Sequence, residues 1–336
     1  MTVHSGPRVS VLLPVYNAEE TVSHALESLL GQSFSDFEVV IIDDGSTDGS
    51  MEILRRCQDP RVRISSRENR GLAVSLNEAL RSARGELVAR HDADDTSDPK
   101  RFQRQVDYLD GHPSVGLVGT NYVLVDERGA EVVTTDLFTH PGDLKVAQVL
   151  SNQFCHGSVM FRRHLIADVG EYDPAVGHVE DYDLFARISH VTEVANLPEP
   201  LYRWRRSPTG ISLSHVDLQA AQSASIRQRE FSRFQGRRKE YRVFSSFHPF
   251  SLRRGVLAYL DRKGGLYRDI ALMYAVRGMK RHALGSLVMA SACEPWRRRN
   301  LRAIARVLRG EAVSSLPELE ALFENNGRVS RLFNRR

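Results

Sequence analysis

Before residue 90 the chain repeats one pattern: a short, nearly continuous apolar run, then a stretch with helical spacing. The runs are Val9–Val15, Phe37–Ile42, Val62–Ser65 and Leu87–Ala89. Between them lie Glu19–Gln32 (Val22, Ala25, Leu26, Leu29, Leu30), Gly49–Cys57 (Met51, Ile53, Leu54) and Leu72–Ala83 (Leu72, Leu76, Ala79, Leu80). A strand with one wet face alternates polar with apolar residues, whereas a strand covered on both faces does not. Strand and helix in strict alternation therefore predict an α/β fold, with a parallel sheet and helices on both sides. Such sheets bind ligands beyond the carboxyl ends of their strands. The polar signatures of this half of the chain fall there.

The pattern continues less regularly. A helix is expected over Pro99–Asp110, strands over Val115–Val118 and Asn121–Asp126, and a turn at Glu127-Arg128-Gly129. Ser158–Phe161 and Pro198–Arg205 read as strands, and Arg163–Val169 and Tyr182–Ser189 as helices. Ser46 or Asp48 can cap the second helix, and Asp98-Pro99 reads as the start of the fourth. Beyond about His215 the chain is helical in pattern and rich in arginine. Charge divides at a similar place. Residues 1–230 hold 23 Lys+Arg against 34 Asp+Glu, while residues 231–336 hold 23 against 8.

Three scattered cysteines, Cys57, Cys155 and Cys293, give neither a disulfide framework nor metal-ligand spacing. The first residues lack the apolar core of a signal peptide, and the longest apolar candidate for a membrane span, Ala283–Ala292, is too short. A reducing, cytoplasmic setting is expected.

Three carboxylates crowd the end of the fourth strand in Asp92-Ala93-Asp94-Asp95. Carboxylates so close repel, and their pKa values rise unless a cation or hydrogen-bond donors offset the charge. A hard divalent metal suits such a site, since it prefers oxygen ligands. A solvated turn is the plainer reading of that motif alone. Three further signatures accompany it: Pro14-Val15-Tyr16-Asn17, Asp43-Asp44-Gly45-Ser46-Thr47-Asp48 and Glu180-Asp181-Tyr182-Asp183. In this order and spacing, over Pro7–Ser212, the chain resembles the inverting family 2 glycosyltransferases of GT-A fold.

That resemblance implies a GT-A catalytic domain over residues 1–215, with a nucleotide-sugar half (1–98) and an acceptor half (99–215), followed by a basic helical region (216–336). It implies sugar transfer from a nucleotide diphosphate sugar, UDP-linked by first expectation, to a hydroxyl of a glycan or lipid-linked acceptor in cell-surface polysaccharide or lipopolysaccharide biosynthesis. Pro14, Tyr16, Asn17, Asp44, Arg70 and Asp92 match the nucleotide-binding positions. Tyr16 would stack on the base, against the alternative of a core tyrosine. Asp44 would accept from the base, against that of a capping turn, and Arg70 would meet base or phosphate unless it is merely solvated. Asp92 and Asp94 match the pair that holds Mn²⁺ or Mg²⁺, with Asp95 left to structure.

Asp181 occupies the place of the general base, although acidic residues also favour helix starts for the dipole alone. Glu180 and His156 would face donor sugar or acceptor, and Asp183 would stabilise the helix N-terminus. A buried, satisfied histidine is the plainer account of His156. The chain departs from the family at Tyr202-Arg203-Trp204-Arg205, where a histidine is common after Tyr-Arg. It also lacks the Gln-x-x-Arg-Trp of processive synthases, so one sugar per encounter is expected.

Two other readings share features with this one. A sugar-phosphate nucleotidyltransferase would open with a Gly-rich loop and lysine, which Val11–Asn17 lacks. A non-catalytic nucleotide-sugar binding protein would not need Asp181. The basic region fits amphipathic helices on an anionic membrane, which would make the protein peripheral on the inner face of the cell membrane. It fits equally a bundle packed on the acidic domain. No nucleic-acid motif is present.

Overall fold

The computed structural model describes residues 6–139, 141–205 and 216–236. Nine strands form one sheet in the order β3-β2-β1-β4-β8-β6-β9-β5, with β7 beside β6. The first four are β1 (Val9–Val15), β2 (Phe37–Asp43), β3 (Val62–Ser66) and β4 (Leu87–Arg90). They are mutually parallel and alternate with α1 (Val22–Leu30), α2 (Ser50–Arg55) and α3 (Leu72–Ser82). Every residue of β1, β2 and β4 is buried.

Side-chain alternation assigns the helices to faces. Val9, Val11, Leu13 and Val15 of β1 share one cluster with Val22, Leu26 and Leu29 of α1, Leu54 of α2, and Phe102, Val106 and Leu109 of α4 (Arg101–Gly111). The intervening Leu12, Val40 and Ile42 are equally buried but point the other way, where α3 packs on β1 and β2. Leu13 is fully buried, and truncating such a residue to alanine costs about 2–5 kcal/mol.

The second half reverses direction. The element β8 (Met160–Arg162) runs antiparallel between β4 and β6 (Val115–Val125), and β9 (Glu193–Arg205) runs parallel to β6. Around them lie α5 (Pro141–Leu150), α6 (Leu165–Val169), α7 (Glu180–Val191) and α8 (Val216–Gly236).

Several expectations are corrected here. The strands expected at Val115–Val118 and Asn121–Asp126 are one strand, because Gly116 and Gly119 serve close packing and not a turn. A Cβ on Gly119 would lie 2.2 Å from the Asn196 side chain. The last strand begins at Glu193 and not Pro198, and the helix expected at Tyr182 begins at Glu180. The helix expected from Arg163 is shorter, starting at Leu165. Short β5 (Thr96–Ser97), β7 (Glu131–Thr134) and α5 were not expected at all. Beyond residue 236 the basic region, with its apolar run at 283–292, lies outside the described residues. Among those described, no helix is long and apolar enough to cross a membrane.

Candidate active site

The ends of β1, β2 and β3 are tied into one rim. Leu12 of β1 accepts at its carbonyl from the His91 N–H at 3.1 Å, and pairing between β1 and β4 stops there. Buried Pro14 comes two residues later, where its missing N–H leaves no ladder bond unmade. The two strands part at this point and open the sheet's edge. Tyr16 follows, 52% exposed, so it is not a core tyrosine. Asn17 adopts a left-handed φ of 48°, which asparagine tolerates better than most residues. Its N–H donates to Ser46 Oγ (3.0 Å), and its amide oxygen accepts from the Thr47 N–H (2.8 Å). Asn17 thus fastens the β1 loop to the β2 loop, and Asp48 adds a bond from the Glu19 N–H (3.0 Å). Asp48 also accepts from the Ser50 N–H at 3.0 Å, but the cap residue of α2 is Gly49, so neither Ser46 nor Asp48 is the expected side-chain cap.

Buried Asp44 joins the third loop. Its Oδ1 accepts from the Arg70 N–H (2.8 Å) and from the Arg67 guanidinium, and its Oδ2 from the Gly71 N–H (2.9 Å). A carboxylate oxygen accommodates two donors, so Oδ2 retains one acceptor position. Asp44 is therefore part of the loop scaffold and not the cap of α2. Gly45, at φ 76°, lets the two loops touch, since a Cβ there would sit 2.7 Å from the Asn69 nitrogen. The Arg70 side chain is exposed and, among the described residues, pairs with no acidic group.

The acidic run divides its carboxylates. Asp95 is buried and spent on structure: its Oδ2 accepts from the Tyr202 hydroxyl and its Oδ1 from the Arg205 N–H, both at 2.6 Å. Tyr202, wholly buried, also accepts from the Asp92 N–H at 3.2 Å. Arg90 is the surprise of this segment. It lies completely buried at the end of β4, donates to Asp92 Oδ1 at 2.5 Å, and leaves its Nε without a partner. His91 beside it donates from Nδ1 to the Asp92 carbonyl (2.7 Å), and burial pushes its pKa well down, so the ring is neutral.

Asp94 is different. Among the described residues no neighbouring side chain donates to its carboxylate. Burial, then the charge of Asp92, raise its pKa to about 6. That is the state of a carboxylate short of positive charge, and a divalent cation fits it. No three His, Cys, Asp or Glu among the described residues form a metal site by themselves. A cation on Asp94 and Asp92 would need further oxygen ligands, such as those of a diphosphate.

The start of α7 supplies a second acidic pair. Asp181 Oδ2 accepts from Asn152 Nδ2 and its Oδ1 from the Tyr182 N–H, both at 2.7 Å. Burial raises Asp181 to about 6, with the charge of Asp92 adding and that of Arg90 opposing. Glu180, also buried, is raised to about 8 by burial and then by the charge of Asp181. The charges of Asp92 and Arg90 act on both Glu180 and Asp181, so the two acidic groups lie near one another. Asp183, by contrast, points away, its buried carboxylate paired with the half-buried Arg187 (2.8 Å) and Arg229 (2.6 Å).

Between the groups, residues 156–158 form a single 3-10 turn. Burial, then the Arg90 charge, push the His156 pKa well down, and its Nε2 lies 3.3 Å from the Tyr172 hydroxyl. Gly157 is pressed against both halves: a Cβ there would fall 1.8 Å from the Tyr202 hydroxyl and 2.9 Å from Asp92 Oδ2. Arg203 and Arg205 turn their guanidinium groups to Glu131 (2.7 Å) and the Glu127 carbonyl (2.5 Å). Of the residues expected from sequence, Asp92, Asp94, His156, Glu180 and Asp181 converge, and Tyr16, Asn17, Asp44 and Arg70 form the adjoining rim. Sequence reasoning missed Arg90, Gly157, Asn152 and Tyr202. A charge inside an otherwise apolar strand was the available signal for Arg90.

Comparison with known proteins points the same way. Residues 10–170 match the profile described as glycosyl transferase family 2. The chain is 34% identical over 202 residues to the amylovoran biosynthesis glycosyltransferase AmsE of Erwinia amylovora, covering 58% of this chain and 75% of that protein. Its fold matches S. aureus TarS 1–349 in complex with UDP-GlcNAc, with a TM-score of 0.54 and 19% identity over 90% of this chain and 92% of that one. It also matches the mannosyltransferase PcManGT of Pyrobaculum calidifontis, in complex with GDP-Man and Mn²⁺, with a TM-score of 0.53 and 21% identity over 98% and 88%. At these identities the structural likeness speaks to the GT-A fold alone.

Proposed function

The chain belongs to glycosyltransferase family 2, and from that premise we propose a metal-dependent, inverting transfer of sugar from a nucleotide diphosphate sugar to an acceptor hydroxyl. The observation that carries this reading is Asp181: a carboxylate raised only to about 6, held by Asn152 and near enough to Asp92 to feel its charge. At neutral pH it is ionised and able to take the acceptor proton as the hydroxyl attacks from the face opposite the leaving group. Glu180, at about 8, stays protonated beside it, able to donate a hydrogen bond where Asp181 accepts. Environments that separate two neighbouring carboxyls in this way assign them different roles.

Tyr16 offers its exposed ring to the base, Asp44 Oδ2 an acceptor to a base N–H, and Arg70 a cation to the diphosphate. Asp94, with Asp92, would hold Mn²⁺ or Mg²⁺. When bound, such an ion neutralises the charge that develops on the departing diphosphate. UDP-GlcNAc in TarS and GDP-Man with Mn²⁺ in PcManGT support a nucleotide-sugar donor and a divalent ion, and the name of AmsE supports a place in polysaccharide synthesis. We take UDP-sugars as the first donors to test, and a glycan or lipid-linked molecule as acceptor.

The basic region beyond residue 230 supports attachment to an anionic membrane surface, each basic residue near it contributing about 1 kcal/mol. Flotation of the full chain with anionic and neutral vesicles tests that part.

The central experiment is a thermal-shift screen of UDP-, GDP- and dTDP-sugars with Mn²⁺, followed by transfer assays with EDTA and with Mn²⁺ restored. Stabilisation by a nucleotide sugar and EDTA-reversible transfer are expected. Absence of any nucleotide-dependent shift would remove the reading.

A further inference from the structure

The first turn of α7, which carries Glu180 and Asp181, is poorly held by its own sequence. Its cap residue, Val179, provides no side-chain cap, and Glu180, Asp181 and Asp183 of its first turn favour the helix through the dipole alone. Asn152 holds the Asp181 side chain, and the backbone just before the helix is held by α8, which lies beyond the matched stretch 10–170. Gln222 Oε1 accepts from the His178 N–H (3.1 Å), and Gln219 Nε2 donates to the His178 carbonyl (3.2 Å). The backbone just before the helix is therefore gripped on both of its polar groups. Gly177, at φ 73°, makes room for this: a Cβ there would lie 2.1 Å from Gln222 Nε2.

Two turns further along α8, Arg229 donates to Asp183 Oδ1 (2.6 Å) and Glu230 meets His190 (2.5 Å). Between these polar anchors Ile226 packs against Val179, Tyr182 and Ala186. Burying a charged network of this kind costs desolvation that weakens its net stabilising effect, so stability is a thin explanation for it. Geometry is a better one. The anchors bracket Asp181, preceding it at His178 and following it at Asp183.

We propose that α8 positions the base: Gln222 and Arg229 are positioning residues that hold the first turn of α7, and with it Asp181, in register for transfer. The proposal rests on the reading of Asp181 as base. A misplacement of about 1 Å at a reacting group lowers rate up to a hundredfold without weakening substrate binding elsewhere.

The test uses the full chain with Arg229→Gln, Gln222→Ala, the conservative Arg229→Lys, and Arg227→Gln on the exposed side of α8 as control. The first two should lower kcat about tenfold to a hundredfold with donor KM and calorimetric donor affinity unchanged. Amide hydrogen exchange over residues 178–184 should quicken in the same two variants. Arg229→Lys should recover much of the rate, and Arg227→Gln should match the wild type. Unchanged kcat, or kcat and donor affinity falling together, overturns the proposal, and so does unchanged exchange over 178–184. If the wild type transfers no sugar from any donor, the reading of Asp181 falls by itself, and the exchange comparison still decides whether α8 holds the turn.

Discussion

Asn152 donates its side-chain N–H to Asp181 Oδ2 at 2.7 Å, while the other oxygen is held by the Tyr182 backbone. Asp181 is thus oriented from two sides before any substrate arrives. Asp181→Asn should keep donor binding and lower transfer by about a hundredfold to ten-thousandfold, the usual contribution of a general base. Asn152→Ala removes one charged hydrogen bond, worth about 1.5–3 kcal/mol, and should lower kcat less. Calorimetry with the donor and initial-rate measurements separate the two effects. Substantial turnover in Asp181→Asn would remove it as base.

The same carboxyls predict how the protein responds to pH. Burial raises Asp181 to about 6, so kcat/KM should fall as pH drops through 6 and the base is protonated. Stability should move oppositely. Glu180 titrates near 8 folded and near 4.5 unfolded, so the folded state binds the extra proton between these values. Stability contributed by that proton is present at low pH and is lost as pH rises through 8. Glu180→Gln should therefore stabilise the protein at pH 8 by roughly 1–3 kcal/mol and do little at pH 4. Urea unfolding at both pH values measures this, and a larger gain at pH 4 would contradict it.

Much of this was legible in sequence, and the exceptions share a cause. The strands β1, β2 and β4 are covered on both faces, so composition alone marks them. The four motifs were legible because strand ends place them together. Neither Thr96–Ser97 nor Glu131–Thr134 carries such a mark, because each is a strand only through its partner, β9 or β6. Gly119 carries no sign in sequence of the Asn196 side chain packed against it. Arg90 shows in sequence only as a charge in an apolar strand, with no sign of its burial against Asp92. The strand and glycine pairings are long-range, and no local pattern announces them.

Gly157 has no room for a side chain. A Cβ would fall 1.8 Å from the Tyr202 hydroxyl, whose bond to Asp95 locks the acidic run. Gly157→Ala should destabilise the fold by about 1–3 kcal/mol, as overpacking does, and should weaken donor binding through displacement of Asp92. Thermal unfolding and nucleotide titration check both, and wild-type affinity would mean that Tyr202 yields without disturbing Asp92.

Tyr16 stands 52% exposed on the rim, so its removal should leave the fold intact. Tyr16→Ala should nevertheless weaken nucleotide binding by about 1–3 kcal/mol, the worth of a stacked base. Equal affinity in a calorimetric titration with UDP would mean that the ring does not meet the base.

Asp94 carries the sharpest expectation about the metal. Asp95 is consumed by Tyr202 and the Arg205 backbone, and Asp92 Oδ1 by Arg90, which leaves Asp94 as the carboxylate with capacity for a cation. Asp94→Ala should abolish the Mn²⁺-dependent part of donor affinity and leave the metal-free part unchanged. It should also remove a half-buried charge whose pKa is raised to about 6, so the variant should be no less stable than the wild type at pH 7 in the absence of metal. Asp95→Ala should behave in the opposite way. It would strip the Tyr202 hydroxyl and the Arg205 N–H of their acceptor and lower stability, with or without metal. Donor titrations with Mn²⁺ and with EDTA, alongside unfolding curves, distinguish the two. Mn²⁺-dependent affinity surviving in Asp94→Ala would assign the ion to other ligands.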